Sequence, residues 1–157
     1  MEKWKKFGVQ FIRCGLAGWC LEVFFTSFCS LLEQDFRMMA HTSFLMFPIY
    51  GLGALLAPIA DRVDAWVDEP CRLAVEWKER EYPWVRFLRH GLLFMVLIFL
   101  VEYIAGRLLG ALGICPWDYR GIPSNVDGVI RLDFAPFWFV TGLLLERITQ
   151  KAPEQLL

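Results

Sequence analysis

Four long stretches of almost uncharged sequence dominate this chain and leave it few ways to fold. Cys14 to Leu32 is interrupted only by Glu22, and Thr42 to Ala60 has no charged residue. Gly91 to Ala111 contains Glu102 and Arg107, and Gly128 to Ile148 has an uncharged centre from Phe134 to Leu145. A bilayer core about 30 Å thick is crossed by about 20 mostly apolar helical residues. The helices of a soluble bundle keep a polar face, which these runs lack. The expectation is an all-α, polytopic integral membrane protein forming a single membrane domain over 1–157. Its four transmembrane helices are expected at about 10–32, 42–61, 88–112 and 128–148.

Composition agrees. The chain is 57% hydrophobic, against roughly 45–50% for soluble domains. Sixteen basic and 17 acidic residues leave a net charge of −1, which excludes the basic field of a nucleic-acid binder. High hydrophobicity at low net charge excludes disorder. Lys3, Lys5 and Lys6 resemble the start of a signal peptide, but Arg13 and Glu22 interrupt the apolar run and no small-x-small site follows. A retained helix is expected.

Orientation is read from Lys and Arg in the flanks. Twelve of them (Lys3, Lys5, Lys6, Arg13, Arg62, Arg72, Lys78, Arg80, Arg86, Arg89, Arg147 and Lys151) fall on the side of the termini and the central connection. Four (Arg37, Arg107, Arg120 and Arg131) fall on or near the other side. This places both termini in the cytoplasm and the protein in the plasma (cytoplasmic) membrane. In the central connection, Asp68-Glu69-Pro70 reads as a helix start. Trp66, Leu73, Trp77 and Trp84 share one face, so an interfacial helix is expected over about 69–80. The five cysteines make no metal-spaced set and His41 and His90 stand apart, so no metal site and no cofactor are expected. Cys29 and Cys115 both fall near the outer face, but an odd total favours free thiols.

The halves of the chain resemble each other. Glu22 and Glu102 lie sixteen residues beyond Lys6 and Arg86, respectively. Phe47-Pro48-Ile49-Tyr50 parallels Ala135-Pro136-Phe137-Trp138, and Leu55-Leu56 parallels Leu143-Leu144. Each half reads as a helix with a mid-membrane glutamate followed by a helix with a proline near its outer end, a parallel-repeat arrangement.

Ionisable groups within a bilayer usually face a bundle interior or a water-filled cavity. Glu22, Glu102 and Arg107 are such groups, and Tyr50 falls at comparable depth. Trp117, Asp118, Tyr119 and Asn125 form an ordered polar loop above them, and Arg131 opens the fourth span. Together these are the candidates for a substrate or ion site opening outward. The competing reading is structural: neutral glutamates fixing helix contacts, with Gly15, Gly18, Gly51 and Gly53 permitting close approach.

The combination Gly18-Trp19-x-x-Glu22, Pro48-Ile49-Tyr50-Gly51, Glu102-Tyr103-x-x-Gly106 and Trp117-Asp118-Tyr119 followed by Pro123-x-Asn125-x-x-Gly128 resembles the ABC-transporter type IV (CmpB-like) family. It is also similar to the related transmembrane protein 229 proteins of vertebrates. The motifs occur in order over about residues 8–148, and the WDY…PxNxxG loop is the most specific. Phe36-Arg37-Met38 stands where many bacterial members carry Asn-Arg-Gly. The resemblance implies a small polytopic membrane protein of transport-permease type.

The expected function is a small permease or membrane subunit with an outward-facing polar site between helices, its guanidinium groups attracting an anionic solute or headgroup. With no Walker sequence, ATP would act only through a partner chain. Four helices are few for a complete carrier, so a homo-oligomer or larger membrane complex in the lipid bilayer is expected. The alternatives are a membrane-embedded lipid-modifying enzyme or a non-catalytic scaffold. In the enzyme, Glu22 and Glu102 would be acid and base, with Asp118 in reserve and Arg107, Arg120 or Arg131 holding phosphate.

Overall fold

The computed structural model describes residues 2–68 and 83–150. Helix α1 spans Glu2–Leu32 and is followed by a short helix α2, Met46–Gly51. A 3-10 turn, Leu52–Leu55, leads into α3, Leu56–Asp68. Helix α4 spans Pro83–Ala111 and α5 spans Ala135–Gln150. Between them lies a small antiparallel hairpin, β1 (Asn125–Val126) and β2 (Ile130–Arg131), and a 3-10 turn at Leu132–Phe134. The rods run up and down: one end of the bundle holds the start of α1 and the end of α5, and the other holds the two long loops. We call these the terminal end and the loop end. The fold is helical, as expected.

Among the described residues, only α1 (from Trp4) and α4 combine the length and apolar character needed to cross a membrane. Of their most apolar windows, 11% and 17% is buried in the protein, whereas the core helix of a soluble protein would be mostly buried. Phe24, Phe28, Val96 and Leu108 face outward. Soluble monomers seldom expose contiguous apolar patches above a few hundred Å². This is a membrane protein.

The second and fourth expected spans are corrected by the structure. Helix α2 starts at Met46 rather than about 42, because the Ser43 carbonyl accepts from the Met46 amide at 3.0 Å and Thr42 turns its hydroxyl elsewhere. The rod then breaks at Leu52–Leu55. Pro58 has no N–H for the Ala54 carbonyl, which removes one i to i−4 bond and favours the tighter turn. Beyond the break α3 continues to Asp68, past the expected 61, so Trp66 belongs to α3. Helix α5 begins at Ala135 rather than about 128. Asp127 (φ 52°) and Gly128 (φ 72°) adopt left-handed backbone and fold the chain into the hairpin, a conformation that an Asp-Gly pair favours. Its 16 residues are about 24 Å long at 1.5 Å per residue. The interfacial helix expected over 69–80 lies outside the described residues.

α1 packs chiefly on α2 and α4 chiefly on α5. Close approach depends on glycine facing an aromatic ring. A Cβ at Gly18 would stand 2.0 Å from the Tyr50 ring, and one at Gly91 would stand 2.2 Å from Phe139. Cys14, Ala54, Leu56, Ala60, Phe94 and Leu145 form the buried core between the pairs.

Candidate functional site

The loop end is built from the helix ends upward. Beyond α1 the chain doubles back: the Thr26 hydroxyl accepts from the His41 amide at 3.1 Å and Ser30 donates to the Met39 carbonyl at 2.8 Å. The Trp19 indole donates to the Ser43 carbonyl at 3.0 Å. This return strand delivers Thr42, whose hydroxyl donates to Glu22 Oε2 at 2.8 Å. On the other side, α4 ends at left-handed Gly113, where the Ile114 amide donates to the Leu109 carbonyl at 3.0 Å, a glycine-terminated C-cap. The following loop is pinned to the hairpin: the Tyr119 amide donates to the Gly128 carbonyl and the Trp117 indole to the Val129 carbonyl, both at 2.9 Å. Tyr119 is thereby brought to the same cavity wall as Glu102. Glu102 Oε2 accepts from the Trp138 indole at 3.1 Å.

The result is a chamber of about 470 Å³ between the two helix pairs. Glu22, Tyr50, Glu102, Trp117 and Tyr119 all line it, joined by Thr42, Ser43, His41 and Trp138. Tyr50, Glu102 and Trp138 are buried, while His41 and Thr42 stand at its open rim. Tyr50 and Trp138 follow Pro48 and Pro136 by two residues, so each half contributes a glutamate and a Pro-x-aromatic to the same wall. Among the described lining residues none is Lys or Arg. Burial and the neighbouring Glu102 hold the Tyr119 phenol well above its ordinary pKa, so it remains a hydrogen-bond donor at physiological pH.

The other candidates lie elsewhere. Arg107 and Asp118 line a separate groove of about 480 Å³ together with Arg120 and Asp127. Asp118 is exposed and paired with Arg120, whose guanidinium hydrogen bond, with the Arg120 amide, pulls its carboxyl down to about 2. Arg131 pairs with Asp133 at 2.6 Å and lies over Phe134 with its guanidinium carbon 4.2 Å from the ring centroid. Asn125 closes its own turn: its side-chain oxygen accepts from the Gly128 amide at 2.8 Å and its nitrogen donates to Ile122 at 2.5 Å. The guanidinium groups that an anion site would need are therefore not on the chamber wall. The described cysteines 14, 20, 29 and 115 carry free thiols.

At the terminal end the structure assembles a cluster that sequence reasoning missed. His90 on α4 stands between Glu146 on α5, 2.8 Å from Nδ1, and Asp64 on α3, 3.1 Å from Nε2. Arg89 donates to Asp64 at 2.7 Å, Arg86 approaches it at 3.4 Å, and Gln150 donates to Glu146 at 3.0 Å. Both His90 contacts are hydrogen bonds when each ring nitrogen carries a proton or when one carboxyl keeps its own. Gln10 on α1 completes the end by donating to the Thr149 carbonyl at 2.8 Å. His90 alone gives no sequence signal, because its partners lie 26 and 56 residues away. Trp138 was detectable, since the Pro-x-aromatic parallel with Tyr50 pointed to it.

Fold and site define a class: a helical membrane protein with a carboxylate-lined chamber at one end. The family model described as Putative ABC-transporter type IV matches residues 9–157, and the chain belongs to that family. No solved structure matches it.

Proposed function

We propose that this chain is a small membrane permease, or the membrane subunit of one, and that the chamber at the loop end is its substrate site. In this reading α1, α2 with α3, α4 and α5 each cross the plasma membrane, the short α5 extended by the 3-10 turn before it. The weight of Lys and Arg at the terminal end puts both termini in the cytoplasm and opens the chamber to the opposite side. One observation carries the proposal: Glu22 and Glu102, on the two longest apolar helices, face the same cavity with no Lys or Arg among its described lining residues. Carboxyl groups held by neutral donors beside a cavity suit a cation or a hydrogen-bond-donating solute rather than an anion. In this reading the chain acts as a homo-oligomer or within a larger complex, and ATP, if used, is hydrolysed by a partner.

The test uses proteoliposomes and two probes, methylammonium for uptake and acyl-labelled phosphatidylethanolamine for movement across the bilayer. At least one probe is expected to move faster than in protein-free vesicles, and the gain is expected to vanish in Glu22→Gln and Glu102→Gln variants that purify like the parent. Movement of neither probe, or undiminished movement in both variants, overturns the reading.

A further inference from the structure

The chamber has a second compartment of opposite character. An apolar cleft of about 130 Å³ lies between the broken rod of α2 and α3 and the middle of α4. It shares Met46, Tyr50, Glu102, Trp117 and Trp138 with the chamber, so the two spaces meet across one common wall. From that wall the cleft runs between Leu52 and Leu55 of the 3-10 turn and Ile98 and Val101 of α4. Leu52 and Leu55 are 39% and 40% exposed, so its rim reaches the surface that faces lipid. The α2–α3 rod makes far fewer contacts with α4 than α4 makes with α5. An apolar cavity of about 150 Å³ stays dry and holds a molecule the size of benzene, so this space suits a short length of hydrocarbon.

We infer that the ligand is an amphiphilic amine: a cationic amino head held in the chamber by Glu22 and Glu102, attached to a hydrocarbon chain that leaves through the cleft into the membrane. This rests on the chamber being the substrate site and adds the ligand class. The head is assigned from charge and ring chemistry. Two carboxyls without a Lys or Arg on the described wall favour an ammonium group, and Tyr50, Trp138 and Phe25 on the same wall offer ring faces for it. The tail is assigned from the cleft, which would have no purpose for a small hydrophilic ion. Because the cleft opens sideways, the ligand enters from the bilayer rather than from water.

The experiment places the full chain in phosphatidylcholine nanodiscs with dodecylamine bearing a mid-chain diazirine. After photolysis, adducts are mapped by mass spectrometry. Adducts are expected on the cleft segments 46–59 and 97–101, competed by dodecylamine and not by dodecanoate. Removing a charge-assisted contact weakens binding by about tenfold or more, so labelling in the Glu102→Gln variant falls accordingly. Leu55→Trp, which fills the cleft from its exposed rim, is expected to abolish cleft labelling. Adducts spread over the outer faces of α1 and α4, equal for the amine and the corresponding carboxylate probe, overturn the inference. If carboxylate-dependent movement of methylammonium or of phosphatidylethanolamine persists with that result, the chamber remains the site and only the ligand class is wrong. If neither probe moves, both fail.

Discussion

The two ends of this bundle treat buried carboxyl groups in opposite ways. At the terminal end Asp64 and Glu146 are met by Arg86, Arg89, His90 and Gln150, and three helices are tied together. At the loop end Glu22 accepts a hydrogen bond from Thr42 and Glu102 accepts one from Trp138, and both face a chamber. A carboxylate surrounded by cations has no capacity left for a ligand. One supported by neutral donors beside open space is held in place and keeps capacity for a ligand. The difference separates a clamp from a site within four helices.

That contrast can be broken in several places. The largest effect is expected at the clamp. Glu146→Ala strips the buried His90 of one acceptor, and breaking a buried pair costs about 3–5 kcal/mol. Thermal unfolding in detergent should show it. Replacing both partners, His90→Leu with Glu146→Leu, is expected to recover most of the loss, since apolar replacement of a whole buried pair is often nearly neutral. Recovery of none would mean that the ion pair itself specifies the packing.

Next comes the helix contact beneath the chamber. Gly18→Val puts atoms where the Tyr50 ring now lies, an overpacking that costs about 1–3 kcal/mol. It should displace Tyr50 and reduce transport together with stability. Glu22→Gln and Glu102→Gln sharpen the comparison from the other side. The amide keeps an oxygen for Thr42 or Trp138, so unfolding should shift by no more than about 1 kcal/mol while transport is lost. A glutamine variant as unstable as Glu146→Ala would make the loop end a second clamp.

The smallest effect is expected at Asp118. Its folded pKa, pulled down to about 2 by Arg120, lies below the ordinary carboxyl value. The pair's contribution is therefore complete above that ordinary value and is lost as pH falls towards 2. Following the Asp118 carboxyl by nuclear magnetic resonance should give a midpoint near 2, and Asp118→Asn should leave transport unchanged. Loss of transport in that variant would move the site to the outer groove.

Much of this was readable from sequence because the bilayer imposes simple rules. Long uncharged runs announced α1 and α4, and the rarity of charges within them singled out Glu22 and Glu102. Tyr50 followed from its depth in the second span, while Trp138, its counterpart in the Pro-x-aromatic parallel, was not read as a site residue. What was not readable depends on local chemistry that hydropathy ignores. Gly128 belongs to an apolar stretch, yet its left-handed backbone builds a hairpin instead of a helix. Pro58 breaks a rod that hydropathy reads as continuous. Arg107, Asp118, Asn125 and Arg131 sit near the chamber in sequence and depth, but side-chain direction and nearby partners send them elsewhere. The His90 cluster joins three helices, and no local pattern encodes such a meeting.

One consequence of the paired packing concerns mechanics. The chamber wall comes in two halves, Glu22, Thr42 and Tyr50 carried by α1 and α2, and Glu102, Tyr119 and Trp138 carried by the second pair and its loop. Where the halves meet at the loop end, the Phe25 ring meets Phe134 edge to face at 4.9 Å and lies tilted against Phe137 at 4.3 Å, contacts made without a hydrogen bond. At the opposite end Gln10 and Thr149 bind the pairs together. The two halves are thus joined by a hydrogen bond at the terminal end and by ring contacts at the loop end, with a carboxyl group on each side of the chamber.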